Sequence, residues 1–149
     1  MLPLLLRPID RPDTNKLEDA YEVAADVETH TNNTRMVVPK FFQYDGASIP
    51  SSAWQLIGTP FHPRLMVASV FHDWLYHTHQ ITRAAADDLF EHLLKASGVG
   101  SVKAGLMKAA VAVFGEHYWN NDPEDVAYIR RSSDRIRQDG RNPADYGIP

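Results

Sequence analysis

The chain has 149 residues, of which 44% are hydrophobic, 23% charged and 10% aromatic, the composition of a folded globular protein and not of a disordered or fibrous one. Its formal charge of −4 excludes the strongly basic surface of a general nucleic-acid coat, so no nucleic-acid partner is expected. The absence of cysteine excludes a disulfide framework, thiol catalysis and cysteine-based zinc sites, and it fits synthesis in a reducing cytosol.

Residues 1–15 carry Pro3, Pro8 and Pro12 among charged side chains, which blocks regular helix and predicts an extended N-terminal arm. The opening Met1-Leu-Pro-Leu-Leu-Leu6 lacks a basic n-region and is too short for a signal segment, and no later apolar run reaches the ~18 residues of a transmembrane segment. From Tyr21 the chain alternates, with Tyr21, Val23, Ala25 and Val27 on one face and Glu22, Asp26 and Glu28 on or near the other, the period of a half-buried strand. A turn at Thr31-Asn-Asn-Thr34 leads into a second strand over 35–42, paired with the first in a hairpin, with Pro39 at an edge or bulge. Tyr44-Asp-Gly-Ala-Ser-Ile-Pro50 and Gly58-Thr-Pro60 are loop signals, and beyond Pro63 the period turns helical.

A first helix is predicted over 64–77, where Leu65, Ala68, Ser69, His72, Leu75 and Tyr76 recur at three- and four-residue steps. A second opens on the N-cap Thr82, carries Ala86, Leu89, Phe90 and Leu93 inward and stops near Gly98. A third, over 102–118, is alanine-rich and apolar nearly all round from Leu106 to Phe114, which predicts the most buried helix of the set. A fourth begins near Asp122-Pro-Glu-Asp125, acids suited to a helix N-terminus, and reaches Gln138, leaving an irregular tail over 142–149. One domain over 1–149 is expected, of α+β class: an N-terminal antiparallel β-hairpin or small sheet followed by a three- to four-helix bundle.

Titratable groups concentrate in Phe71-His-Asp-Trp-Leu-Tyr76 and Arg83-Ala-Ala-Ala-Asp-Asp-Leu-Phe90, on two apolar helices joined by a short polar turn. His72 and Tyr76 share one helix face, while Asp73 projects about 100° around the axis. If the helices pack antiparallel, the short turn brings Asp87 back towards His72. A carboxylate on one imidazole nitrogen fixes the tautomer and favours the protonated ring, which prepares a histidine to accept a proton from water. Asp73 is then available for a hard cation such as Ca2+, with further oxygens from the loop at Asp45 and Gly46. Gly46 also offers an N–H to a developing oxyanion. The catalytic candidates are His72, Asp87 and Tyr76, and the metal candidates are Asp73, Asp45 and Gly46.

His72-Asp73-x-x-Tyr76 followed by Ala86-Asp87-x-x-Phe90 resembles the helix pair of secreted, and more closely of disulfide-free parvoviral, phospholipases A2. The resemblance covers residues 71–90 and implies that His72 is the general base, that Asp73 binds calcium and that Asp87 orients the histidine. The parvoviral calcium loop reads Tyr-x-Gly-x-Gly, whereas Tyr44-Asp-Gly-Ala-Ser48 keeps the first glycine and lacks the second, and the connection between the helices is shorter here. A broader set, Val38-Pro-x-Phe, Asp45-Gly-Ala-Ser-Ile-Pro50, His72-Asp-x-Leu-Tyr76, Arg83-x-x-Ala-Asp-x-x-Phe90 and Phe114-Gly115, is similar to the phage and prophage family of unknown function numbered 1353. That resemblance implies a phage or prophage protein made in a host bacterial cytoplasm, with virion or tail proteins as partners, and it implies no activity.

Plainer readings stand beside these. His72 and Asp73 equally fit a buried histidine bonded to the backbone beside a helix-surface acid, and Arg83 with Asp87 fits an i, i+4 helix salt bridge worth ~0.3 kcal/mol. Residues 45–50 equally form a turn. His77 and His79 with Asp73 outline a transition-metal alternative, and His62 ahead of His72-Asp73 outlines a phosphohydrolase one. Arg130, Arg131, Arg135, Arg137 and Arg141 read as a solvated helix face or a phosphate-facing patch, and Trp54, Trp74 and Trp119 as core or a lipid-facing rim. Two functions follow: a virion-associated ester hydrolase acting on lipid or another ester, or a non-catalytic assembly protein whose arms dock on neighbouring subunits.

Overall fold

The computed structural model describes residues 4–8, 21–31, 34–44, 55, 62–120 and 122–148. They fall into two compact units, one of Met1–Asp45 with Ile129–Pro149 and one of Gly46–Tyr128. Short strands precede helices, and the class is α+β, as the patterning indicates.

Among its described residues the first unit holds β1 (Leu6–Pro8), β2 (Tyr21–Val23), β3 (Val27–Thr31), β4 (Thr34–Val38) and β5 (Gln43–Tyr44). β1, β2 and β5 form an antiparallel sheet in that order, and β3 and β4 form a separate hairpin with Val27 opposite Val38 and Thr31 opposite Thr34. The alternating run from Tyr21 is therefore two strands in two sheets, not one hairpin arm. It breaks at Asp26, whose carboxylate accepts the Lys40 N–H at 2.8 Å, and Ala24 N–H bonds Leu5 across to the N-terminal strand. Part of the predicted arm is thus an edge strand, and Pro8 sits where an edge tolerates a missing donor.

The predicted tail is described over 142–148. A 3-10 helix, Pro143–Tyr146, packs on β4 and buries Tyr146 and Ile148. The Tyr146 hydroxyl donates to Asp26 at 2.6 Å and Arg141 donates to the same carboxylate at 2.7 Å. The arginine-rich face is largely ion-paired: Arg135 lies 3.6 Å from buried Glu22 and over the Phe41 ring, Arg131 donates to Gln43, and Arg137 faces Asp134.

The second unit is built on α1 (Met66–Thr78), α2 (Arg83–Ala96), α3 (Ser101–Phe114) and the single turn α4 (Glu116–Trp119). A fifth helix, α5 (Asp122–Gln138), matches the predicted span, and its residues from Ile129 onward belong to the first unit. α1 packs on α2 and α2 on α3. α1 is the buried element, since every residue from Ala68 to His77 is enclosed. It ends on His79, whose φ of 52° is left-handed and whose N–H closes on the Leu75 carbonyl. Thr82 caps α2 by accepting the Ala85 N–H at 3.2 Å.

The third predicted helix is corrected twice. It breaks at Gly115, and it is not the most buried one: Ala104, Met107 and Val111 face inward while Val102 is 81% and Leu106 64% exposed, with Val113 and Phe114 also exposed. Apolar residues all round a helix promise burial only where neighbours cover every face, and α3 presents one line of small and flexible side chains to α2.

Candidate functional site

Because α1 is enclosed on all sides, two adjacent side chains that diverge by about 100° both end up inside the unit. His72 and Asp73 are each 1% exposed, so Asp73 is not a helix-surface acid. His72 and Tyr76, one turn apart, face α2, and their rings lie 4.0 Å apart; Phe90 of α2 closes on the imidazole at 4.8 Å. Trp74 is buried, and half-buried Trp119 meets the Tyr76 ring edge-on at 5.1 Å. Trp54 lies outside the described residues.

One carboxylate oxygen gathers the polar atoms. Asp87 Oδ1 receives His72 Nε2 at 2.7 Å and the Tyr76 hydroxyl at 2.7 Å, within the buried α1–α2 contact. A carboxylate oxygen has lone pairs for two donors, and the Nε2–H tautomer of His72 makes the ring the second of them. Asp87 does favour the protonated ring, as expected, but burial outweighs it. Burial drives the imidazole below its ordinary pKa, the bond and charge of Asp87 only partly restore it, and the charge of Arg83 lowers it further. Burial likewise holds the Tyr76 hydroxyl well above its ordinary value, with Asp87 adding to the effect, so Tyr76 remains a donor.

Arg83 does not close the predicted helix pair with Asp87. Its Nε donates to the Tyr76 hydroxyl at 3.3 Å, and its terminal nitrogen donates to the carbonyls of Val111, at 3.4 Å, and Ala112. A pocket of about 450 Å3 lined by Arg83, Ala84, Asp87, Asp88, Lys108 and Ala112 reaches the network from its carboxylate side. The His72 side chain is 0% exposed.

Of the metal candidates, Asp73 alone lies among the described residues. Asp73 Oδ1 lies 3.9 Å from His77 Nε2, both buried, as their one-turn spacing predicts. His79 is exposed and stacks on Trp119 at 3.9 Å, so the two histidines do not share one site. Asp45 and Gly46 lie outside the described residues. No group of three or more His, Cys, Asp or Glu side chains suited to a metal occurs among the described residues. His62, exposed, accepts the Arg64 N–H at 3.2 Å in the turn before α1.

Sequence reasoning found the His72, Asp87 and Tyr76 constellation and missed the parts played by Arg83, Gly115 and Trp119. Arg83 carried a signal, its position four residues before Asp87, but that spacing also describes an ordinary surface pair. Among the described residues no helix is long and apolar enough to cross a membrane.

The model of a family described as a protein of unknown function, DUF1353, matches residues 21–111. The uncharacterized protein y4jT of Sinorhizobium fredii (strain NBRC 101917 / NGR234) is 38% identical over 84 residues, which cover 56% of this chain and 25% of that protein. The uncharacterized protein y4iH of the same organism is 35% identical over 74 residues, 50% of this chain and 31% of that protein. The chain thus spans about a quarter to a third of the length of these curated relatives. No solved structure matches it.

Proposed function

Since the chain belongs to the DUF1353 family, which brings no reaction with it, the site has to supply one, and we propose that the protein is an ester hydrolase in which His72 is the general base and Asp87 holds its ring. The observation that supports this reading is the convergence of His72 Nε2 and the Tyr76 hydroxyl on the single oxygen Asp87 Oδ1. The resemblance of the same helix pair to phospholipases A2 supplies the substrate class, lipid or another ester.

The chemistry follows from the tautomer. With Nε2–H donated to Asp87, the ring's basic lone pair belongs to Nδ1, and burial keeps the ring neutral. As a water proton passes to Nδ1, its oxygen attacks the ester carbonyl and a tetrahedral oxyanion forms. The positive charge growing on the imidazole is met by the Asp87 carboxylate 2.7 Å away. Collapse breaks the ester C–O bond, and the imidazolium returns its proton to the departing alkoxide. Tyr76 holds Asp87 in place through its own 2.7 Å bond. No step is assigned to a metal.

Release of acid from a soluble nitrophenyl ester and from phospholipid vesicles tests the reading, with calcium and with a chelator. His72→Gln and Asp87→Asn are expected to lose ~10²–10⁴-fold in kcat. A wild type as inert as the variants overturns it. Calcium, which the resemblance implies, stands or falls on the chelator arm alone.

The second reading is a non-catalytic phage or prophage protein, incorporated in the virion beside tail or other virion proteins, in which this network locks the helix pair. The enclosure of the imidazole, with no exposed surface, favours it. It predicts variants that change melting temperature and nothing in ester release.

A further inference from the structure

The reading of His72 as the base leaves two well-placed residues without a part. Arg83, the first residue of α2, joins three elements: Nε reaches the Tyr76 hydroxyl on α1, and the terminal nitrogen reaches the Val111 and Ala112 carbonyls in the last turn of α3. The carbonyls at a helix C-terminus carry the negative end of its dipole, so a cation held there is stabilised, and the Val111 carbonyl also accepts the Gly115 N–H at 2.8 Å. A guanidinium presents several donors in a rigid plane and serves hydroxyl and carbonyls at once, which an amide does not.

Gly115, immediately after α3, closes the other side. A Cβ at this position would lie 2.8 Å from the Tyr76 hydroxyl oxygen, 3.2 Å from its ring and 2.3 Å from the Val111 carbonyl oxygen. Its φ of −82° is ordinary, so space and not backbone freedom is what demands glycine here. The Tyr76 hydroxyl is therefore held by Arg83 on one side and by bare backbone on the other, while it donates to the oxygen that also receives His72.

Building on the hydrolase reading, we propose that Arg83 and Gly115 are positioning residues, through which the C-terminal end of α3 fixes the Tyr76 hydroxyl and thereby the approach of Asp87 to His72. Neither residue is asked to touch substrate. Their effect is on the geometry of the base.

The test uses the full chain with Arg83→Gln, Arg83→Lys and Gly115→Ala, read by the NMR resonance of the His72 ring N–H, by kcat and KM for the ester, and by melting temperature. Arg83→Gln and Gly115→Ala are expected to displace the His72 N–H resonance and lower kcat by roughly tenfold at nearly constant KM, the signature of lost orientation. Arg83→Lys, which keeps the charge but not the planar fork, is expected to recover only part of both. Should Gly115→Ala fail to fold, the two Arg83 variants carry the comparison. A resonance that stays at its wild-type position in Arg83→Gln, whatever happens to melting temperature, overturns the positioning role. A displaced resonance in a protein whose wild type releases no ester supports that role while the hydrolase reading falls.

Discussion

His72 combines two pulls that act in opposite directions. Burial lowers its pKa, Asp87 raises it, and burial prevails with the help of Arg83. The unfolded ring takes up a proton near its ordinary value of 6.5, and the folded ring only at lower pH. Between those two points the unfolded state binds more protons, so stability declines as pH falls through 6.5 and stops declining below the folded pKa. The melting temperature of the wild type is therefore expected to drop more on acidification through this window than that of His72→Gln, whose side chain does not titrate. Parallel curves would remove the buried neutral ring from the account. The constellation itself was legible in the sequence, because residues 72, 76 and 87 lie on facing helix surfaces joined by a short turn. Its protonation state was not, because that depends on enclosure by Phe90, Tyr76 and the rest of the packed surroundings, which no spacing records.

At the scale of the element, α1 and α3 exchange the parts their sequences gave them. α1 contains histidines and an aspartate and is enclosed, whereas α3 reads as an apolar rod and exposes Val102, Leu106 and Val113. Exposed apolar side chains contribute little, and buried ones leave a cavity when cut back. Val102→Ser and Leu106→Gln are expected to change unfolding free energy by less than ~0.5 kcal/mol, while Met107→Ala lowers it by ~2–5 kcal/mol. Urea titration of the three variants measures this, and equal losses at Leu106 and Met107 would show that the outer face of α3 is covered in solution. Helix boundaries were legible to within a few residues because Thr82, Gly98 and the run from Asp122 mark them chemically. The break at Gly115 was not, since it answers to the Tyr76 side chain thirty-nine positions earlier, the difference between 115 and 76.

At the scale of the molecule, β-before-α order follows from the change of hydrophobic period near residue 63, but the assignment of strands to sheets does not. The run from Tyr21 looks continuous until Asp26 is seen to bind Lys40, Tyr146 and Arg141, residues scattered over the whole chain. Partial burial works to raise the Asp26 pKa, yet those three bonds outweigh it and hold it below 3.8, while burial and Asp26 push Tyr146 up to about 12. A depressed carboxylate stabilises above its unfolded value and loses that stabilisation as pH falls through the folded one. Tyr146→Phe is expected to cost about 1 kcal/mol at neutral pH and to flatten the acid limb of the stability profile below 3.8, followed by circular dichroism. Full enclosure of the imidazole sets one further bound. A ring that touches no solvent meets water, substrate or reagent only during excursions that open its enclosure. The frequency of those excursions is then a ceiling on turnover. The lag with which diethyl pyrocarbonate acylates His72, against the prompt acylation of exposed His62, His92 and His117, gauges that ceiling as a rate directly comparable with kcat.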